Sequence, residues 1–362
     1  MEPLKYLFNE NVVTAIAESA EKYDKDFKKQ EFIDSVLDSE WEIRELKDRI
    51  NFIAFCLGDY LTKDFKQASS TIEKMSEELP SGFEQMPLPT FIELFGLDHF
   101  DVSLKTLEKI TKGSTGEFAI RPFLKLDAAN TLKVMKKWAV HKNEHVRRLS
   151  SEGCRPRLPW GGNFQAAIKN PSPVLEILET LKNDDSLYVR KSVANNLNDI
   201  SKDNPELLLQ TGKRWVNENH KHAKWIVKKG LRGLLKDANP SALQLFGYGN
   251  PDSILFNNLT IKNKVIKIGD RLDFSFDVIN SNVKKQKLRI EYLIEYQKKR
   301  GSSKKVFQLS EMELDTKTER KFEKYQSFAD MTTRKHVAGN HELFIRVNGE
   351  LKGSRKFELL ND

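Results

Sequence analysis

The chain has 362 residues, 39% apolar and 31% charged, with a formal net charge of +8, so it has room for two or three domains with buried cores, and neither a disordered nor a fibrous class fits. No stretch reaches the ~18 consecutive apolar residues of a spanning helix, and Met1-Glu2-Pro3-Leu4 lacks a signal-peptide start, so a cytoplasmic protein is expected. Cys56 and Cys154 lie far apart, forming neither a disulfide framework nor a four-cysteine zinc site.

Residues 1–100 carry 11 Lys and Arg against 21 Asp and Glu, residues 101–250 carry 26 against 15, and residues 251–362 carry 23 against 16, nets of −10, +11 and +7. An acidic third followed by two basic ones suggests a polyanion-facing surface on the later parts, although basic blocks also serve as solvated faces.

Up to about Leu245 the apolar spacing is helical. Ile43, Leu46, Ile50, Ile53, Ala54 and Leu57 recur three and four apart, and Pro and Gly break the chain at Pro80-Ser81-Gly82, Gly113 to Gly116, Pro156 to Gly162, Asn204-Pro205 and Asn239-Pro240. Within this region Glu144-His145-Val146-Arg147-Arg148-Leu149 returns 43 residues later as Leu187-Tyr188-Val189-Arg190-Lys191-Ser192, with a weaker third copy around Ala223 to Lys229. The period predicts HEAT-like helical pairs stacked as an α-solenoid over residues 1–250. Their cations, Arg148, Arg190, Lys191, Lys228 and Lys229 among them, either line one face toward a polyanion or, as for Arg147 and Arg190, bond the neighbouring repeat.

From about Leu255 the period becomes two. Leu272, Phe274, Phe276 and Val278 form one ladder, Leu288 to Tyr296 a second, and Leu343, Ile345 and Val347 a third before Asn348-Gly349. With Leu259, Ile261, Val306, Leu309, Phe357 and Leu359 this makes about seven strands, an all-β immunoglobulin-like sandwich over residues 251–362. Its basic stretch Lys298-Lys299-Arg300-Gly301 is expected at a hairpin tip, either in a duplex groove or simply solvated.

The densest unusual segment is His145 to Gly162. Glu152 stands among Arg147, Arg148, Arg155 and Arg157 where the second copy has neutral Asn195, and Trp160 follows between Pro159 and Gly161. A tryptophan held in such a turn can pack on a sugar or base while neighbouring cations hold phosphates, or it can pack against the next repeat. The pairs His141/His145 and His220/His222 lack a third ligand, and no metal is expected.

The run Glu144 to Gly162, the Gly116-Glu117-Phe118-Ala119-Ile120-Arg121-Pro122-Phe123 segment and Val189 to Asp199 resemble the AlkC branch of the AlkD/AlkC alkylpurine DNA glycosylases, some of whose members carry an appended immunoglobulin-like domain. The resemblance implies monofunctional hydrolysis of the N-glycosidic bond of cationic N-alkylated bases such as 3-methyladenine and 3-methylcytosine in duplex DNA, without base flipping. It maps the family's carboxylates to Glu117, Glu152 and Asp199 and its aromatic to Trp160. Phosphate contacts are then expected from Arg148, Arg155, Arg157, Arg190, Lys191, Lys228, Lys229, Lys299 and Arg300, in a monomer without cofactor. Glu117 and Asp199 have a simpler alternative as helix caps. The rival for the whole chain is a non-catalytic repeat scaffold binding DNA or an acidic protein.

Overall fold

The computed structural model describes residues 3–332 and 335–361. Among these the chain is mainly helical up to Leu245, with sixteen α-helices, and forms an immunoglobulin-like β-sandwich from Ile254 onward, the architecture that the change of period predicts.

In the central part helices come in pairs: Ala128–Trp138 with Glu144–Glu152, Ser172–Leu181 with Leu187–Asp203, and Pro205–Asn217 with Ala223–Gly230. The second members pack on one another in that order. Gly230 permits the last of these contacts, since a Cβ there would stand 2.7 Å from that of Leu197. Two first members carry buried tryptophans that bond the preceding layer: Trp138 Nε1 donates to Glu108 of the helix Phe100–Ile110 at 2.6 Å, and Trp215 Nε1 donates to Glu179 of Ser172–Leu181 at 2.7 Å.

The two sequence copies match in detail. Val146 and Val189 are both fully buried, and Asn143 and Ser186 cap the two helices by accepting from the amides of His145 and Val189. Arg147 Nη1 donates to the carbonyls of His141 and Lys142, each at 3.0 Å. Arg190 Nη1 donates to those of Asp184 and Asp185, at 2.9 and 2.8 Å. At this repeat position the arginine satisfies the turn ahead of its own helix.

The chain divides into two compact units after Gly230, earlier than the break expected after residue 250. The helices Arg232–Lys236 and Pro240–Leu245 belong with the strands: Arg346 donates to the Lys236 carbonyl at 2.6 Å, Lys287 to that of Phe246 at 2.8 Å and Asn348 to that of Gly249 at 2.9 Å.

Ten strands are described. A short hairpin within the helical unit pairs β1 (Arg157–Leu158) with β2 (Gly162–Asn163). The second unit holds β3 (Ile254–Ile261), β4 (Val265–Lys267), β5 (Arg271–Asn280), β6 (Gln286–Gln297), β7 (Ser302–Leu314), β8 (Glu319–Ser327), β9 (Gly339–Val347) and β10 (Glu350–Leu360). They form two sheets, β4-β10-β9-β6-β7 and β3-β5-β8. The inward residues Phe276, Val278, Ile290, Ile294, Leu343 and Ile345 make the core, as the alternation predicts.

Candidate active site

Packing of Glu144–Glu152 against Leu187–Asp203 brings the carboxylates at the end of one helix and along the other to a single guanidinium. Arg155 Nη1 donates to Glu152 Oε1 at 2.7 Å and its Nε donates to Asp199 Oδ2 at 2.8 Å. Lys202 Nζ reaches Asp199 Oδ1 at 3.1 Å, Arg148 Nη2 lies 3.6 Å from Glu152, and Arg148 Nη1 pairs with Glu117. The result is a row of alternating sign: Glu117, Arg148, Glu152, Arg155, Asp199, Lys202.

Glu152 is 6% and Asp199 2% exposed. Burial opposes the charge on Arg155, but its hydrogen bond to Asp199 and the field of Glu152 outweigh that cost, and its pKa is raised. A buried ion network adds little stability over apolar packing of the same volume, so folding alone gives weak reason to place acids here. Asp199 lies inside its helix, whose C-terminal cap is Asn204, and is no cap. The Glu117 carboxylate is engaged by Arg148 and accepts from Thr115 Oγ1 at 2.9 Å.

The chain leaves Glu152 through Cys154 into the β1–β2 hairpin, whose tip carries Trp160. This residue has φ 63°, the left-handed region where a bulky side chain is strained, and it is 65% exposed. Gly162, at φ 70°, shares the tip. Buried Arg121 orders the segment by donating to the carbonyls of Gly153 at 2.9 Å, Arg155 at 2.8 Å and Gly162 at 2.8 Å. Burial lowers its pKa.

The other expected cations stand outside this row. Arg157 forms a two-bond pair with Asp203, at 3.0 and 2.7 Å. Lys191 is exposed on the second-copy helix, and Lys228 and Lys229 lie in the last turn of Ala223–Gly230. In the second unit Lys299 and Arg300 are exposed in the turn between β6 and β7, at the hairpin tip predicted for them, where the Lys298 amide donates to the Gly301 carbonyl at 3.0 Å.

Sequence patterning passes over Arg121, Lys202, Asp203 and Tyr188. Spacing holds a signal for Lys202, which follows Asp199 by three as Arg155 follows Glu152. The ring of Tyr188 lies 5.1 Å from the Arg148 guanidinium. Cys154 takes no part in ionic chemistry at neutral pH, because burial pushes its thiol up to about 12. Among the described residues no group of three or more His, Cys, Asp or Glu is arranged to hold a metal, and no helix is long and apolar enough to cross a membrane.

The family model described as DNA alkylation repair enzyme matches residues 114–234, which contain the whole ion row and the hairpin, and the model described as the C-terminal Ig-like domain of uncharacterised protein YhaZ matches residues 256–361. Over 99% of its length the chain is 43% identical to the uncharacterized protein YhaZ of Bacillus subtilis (strain 168), covering 100% of it. The solved structure of Pseudomonas fluorescens alkylpurine DNA glycosylase AlkC bound to DNA containing an abasic site analog has a TM-score of 0.93 and 37% identity, with 99% of each chain covered.

Proposed function

Because the chain belongs to the AlkC branch of the AlkD/AlkC alkylpurine DNA glycosylases, we propose that it hydrolyses the N-glycosidic bond of bases made cationic by N-alkylation, the 3-methyladenine and 3-methylcytosine class, in duplex DNA. The observation that carries this reading is the pair of buried carboxylates, Glu152 and Asp199, clamped by Arg155, with a strained and exposed tryptophan five residues further along the same segment.

A base alkylated on a ring nitrogen departs as a neutral molecule, so no general acid is required. The remaining work is to stabilise positive charge growing on the deoxyribose and to hold a water against C1′, tasks for carboxylates in a partly dry site. Hydrogen bonds from Arg155 fix the orientation of both Glu152 and Asp199, so little reorganisation accompanies charge development. Glu117 supplies a third carboxylate at the Arg148 end of the row. Water serves as nucleophile, hence a monofunctional enzyme that leaves an abasic site without strand cleavage.

Trp160, projecting from the hairpin, packs on a sugar or base of the duplex, and the lesion is reached from the groove without flipping. In this reading Arg148 and Arg155 act on DNA chiefly through the carboxylates they hold. Arg157, Arg190, Lys191, Lys228 and Lys229 in the first unit, and Lys299 and Arg300 in the second, meet backbone phosphates.

The test is release of free methylated base from alkylated duplex DNA, measured by chromatography with a strand-integrity assay. Base release with intact strands is expected. Tight binding of the same duplex with no base released would overturn the reading in favour of a non-catalytic scaffold.

A further inference from the structure

The acidic first hundred residues lie outside the matched repair-enzyme region, yet one of their side chains reaches the Trp160 hairpin. Lys47, near the start of the helix Leu46–Tyr60, donates from Nζ to the carbonyl of Trp160 at 3.2 Å. Its ammonium also lies 6.0 Å from the ring of Phe118, the neighbour of Glu117.

What lies behind the hairpin gives this bond its weight. A cavity of about 310 Å³ separates the tip from the helices Leu46–Tyr60 and Pro87–Phe95, lined by Lys47, Glu93, Phe118, Arg121, Lys125 and Trp160 among others. A Cβ built on Gly162 would meet nothing within 4 Å. The tip packs on Leu158 at Gly161, but Gly162 faces open space and the Trp160 side lines the cavity, so close packing, which ordinarily fixes a loop, acts on one side of it only. Arg121 anchors its return strand through Gly162, while Lys47 holds the carbonyl of the strained residue itself.

We propose that Lys47 is a positioning residue for Trp160, by which the N-terminal part of the chain sets where the indole meets DNA. This rests on the glycosylase reading above. Glu93 lines the same cavity; burial raises its carboxyl pKa, and the fields of Lys47 and Lys125 oppose that rise.

The experiment compares Lys47→Met, Lys47→Arg, Trp160→Ala and the double variant Lys47→Met/Trp160→Ala in the full chain, by single-turnover release of 3-methyladenine from alkylated duplex. Lys47→Met should slow release about 5- to 20-fold with an unchanged melting temperature, and Lys47→Arg should recover most of it. On the Trp160→Ala background the same change should cost less than about 2-fold, the non-additivity expected of residues acting as one unit. A second readout is acrylamide quenching in a Trp225→Phe background, where Trp160 is the one exposed indole left among the tryptophans, and Lys47→Met should alter its quenching. Wild-type rates in Lys47→Met, or an equal loss with and without Trp160, would overturn the proposal, the latter making Lys47 an independent phosphate contact. If the wild type released no base the glycosylase reading would fail, while unchanged quenching would separately sink the link between Lys47 and Trp160.

Discussion

The helices Glu144–Glu152 and Leu187–Asp203 begin alike and end differently. Each starts with a capped turn, a buried valine and an arginine bonded to the two carbonyls ahead of it. Beyond that turn the first stops at Glu152 and gives way to Arg155 and the hairpin, whereas the second runs on to Asp199, Lys202 and Asp203. Where the copies agree, residues hold the stack together. Where they diverge, they build the ion row, because a repeat is free to specialise only at positions that its neighbours do not need.

The sharpest way to break this comparison is to exchange charge for a neutral isostere at the divergent positions. Glu152→Gln and Asp199→Asn should each lower single-turnover excision by about 100-fold or more while retaining affinity for duplex with an abasic-site analogue. Asn195→Ala, at the position of the second copy matching Glu152 and one helical turn from Asp199, removes no charge and should lower excision by less than about 10-fold. Unchanged rates in both carboxylate variants would remove the row from the chemistry.

Much of this was legible beforehand. The 43-residue echo carried the helical pairing, and the neutral Asn195 opposite Glu152 marked the latter as a departure from the repeat. Arg121 was not legible, since its role is to donate to three carbonyls between residues 153 and 162, and carbonyls leave no trace in residue type. In the sandwich β8, with the sequence Glu-Arg-Lys-Phe-Glu-Lys-Tyr-Gln-Ser, leaves no clear alternation because Phe322 is its one apolar side chain against the core, and β4 leaves none because it is three residues long. The helices Arg232–Lys236 and Pro240–Leu245 read as a continuation of the stack because helical period says nothing about which core a helix joins.

A second comparison, between the two units, is tested by shortening the chain. Ending it at Gly230 should leave a folded helical unit. Ending it near residue 250 keeps the two short helices without the strands whose Arg346, Lys287 and Asn348 bond them, and should aggregate more readily. Duplex affinity of the shorter chain should fall by about 10-fold with a shallower dependence on salt, since each lost phosphate contact lowers the slope by about one. Lys299→Glu/Arg300→Glu in the full chain should reproduce part of that loss. Equal salt slopes would assign the sandwich another role.

The shared halves of the repeat predict smaller effects, read as stability. Arg147 forms two bonds to Asp184, at 2.6 and 3.0 Å, in addition to its two carbonyl contacts, whereas Arg190 bonds the two carbonyls. Arg147→Ala should cost about 2 kcal/mol and Arg190→Ala about 1 kcal/mol in urea denaturation, because bonds to a charged partner are the stronger kind. A larger loss for Arg190→Ala would reverse the ranking.

The smallest expected effect lies among the first members of the helical pairs. The hydrogen bond from Arg214 lowers the pKa of Glu179, against the opposing effect of burial, and Lys182 and Trp215 lower it further, from 4.5 to about 2. A carboxyl depressed in the folded state adds stability that is complete above its ordinary pKa and is lost as pH falls through the folded value. The contribution should therefore be full at pH 6 and fade between about pH 4.5 and 2. Because the group is partly open to water, less than about 1 kcal/mol is at stake. Glu179→Gln keeps an acceptor for Trp215 but cannot titrate, so its urea midpoint should fall less than that of the wild type between pH 5 and 3. Parallel acid limbs in the two proteins would show that Glu179 contributes nothing to the acid sensitivity of the stack.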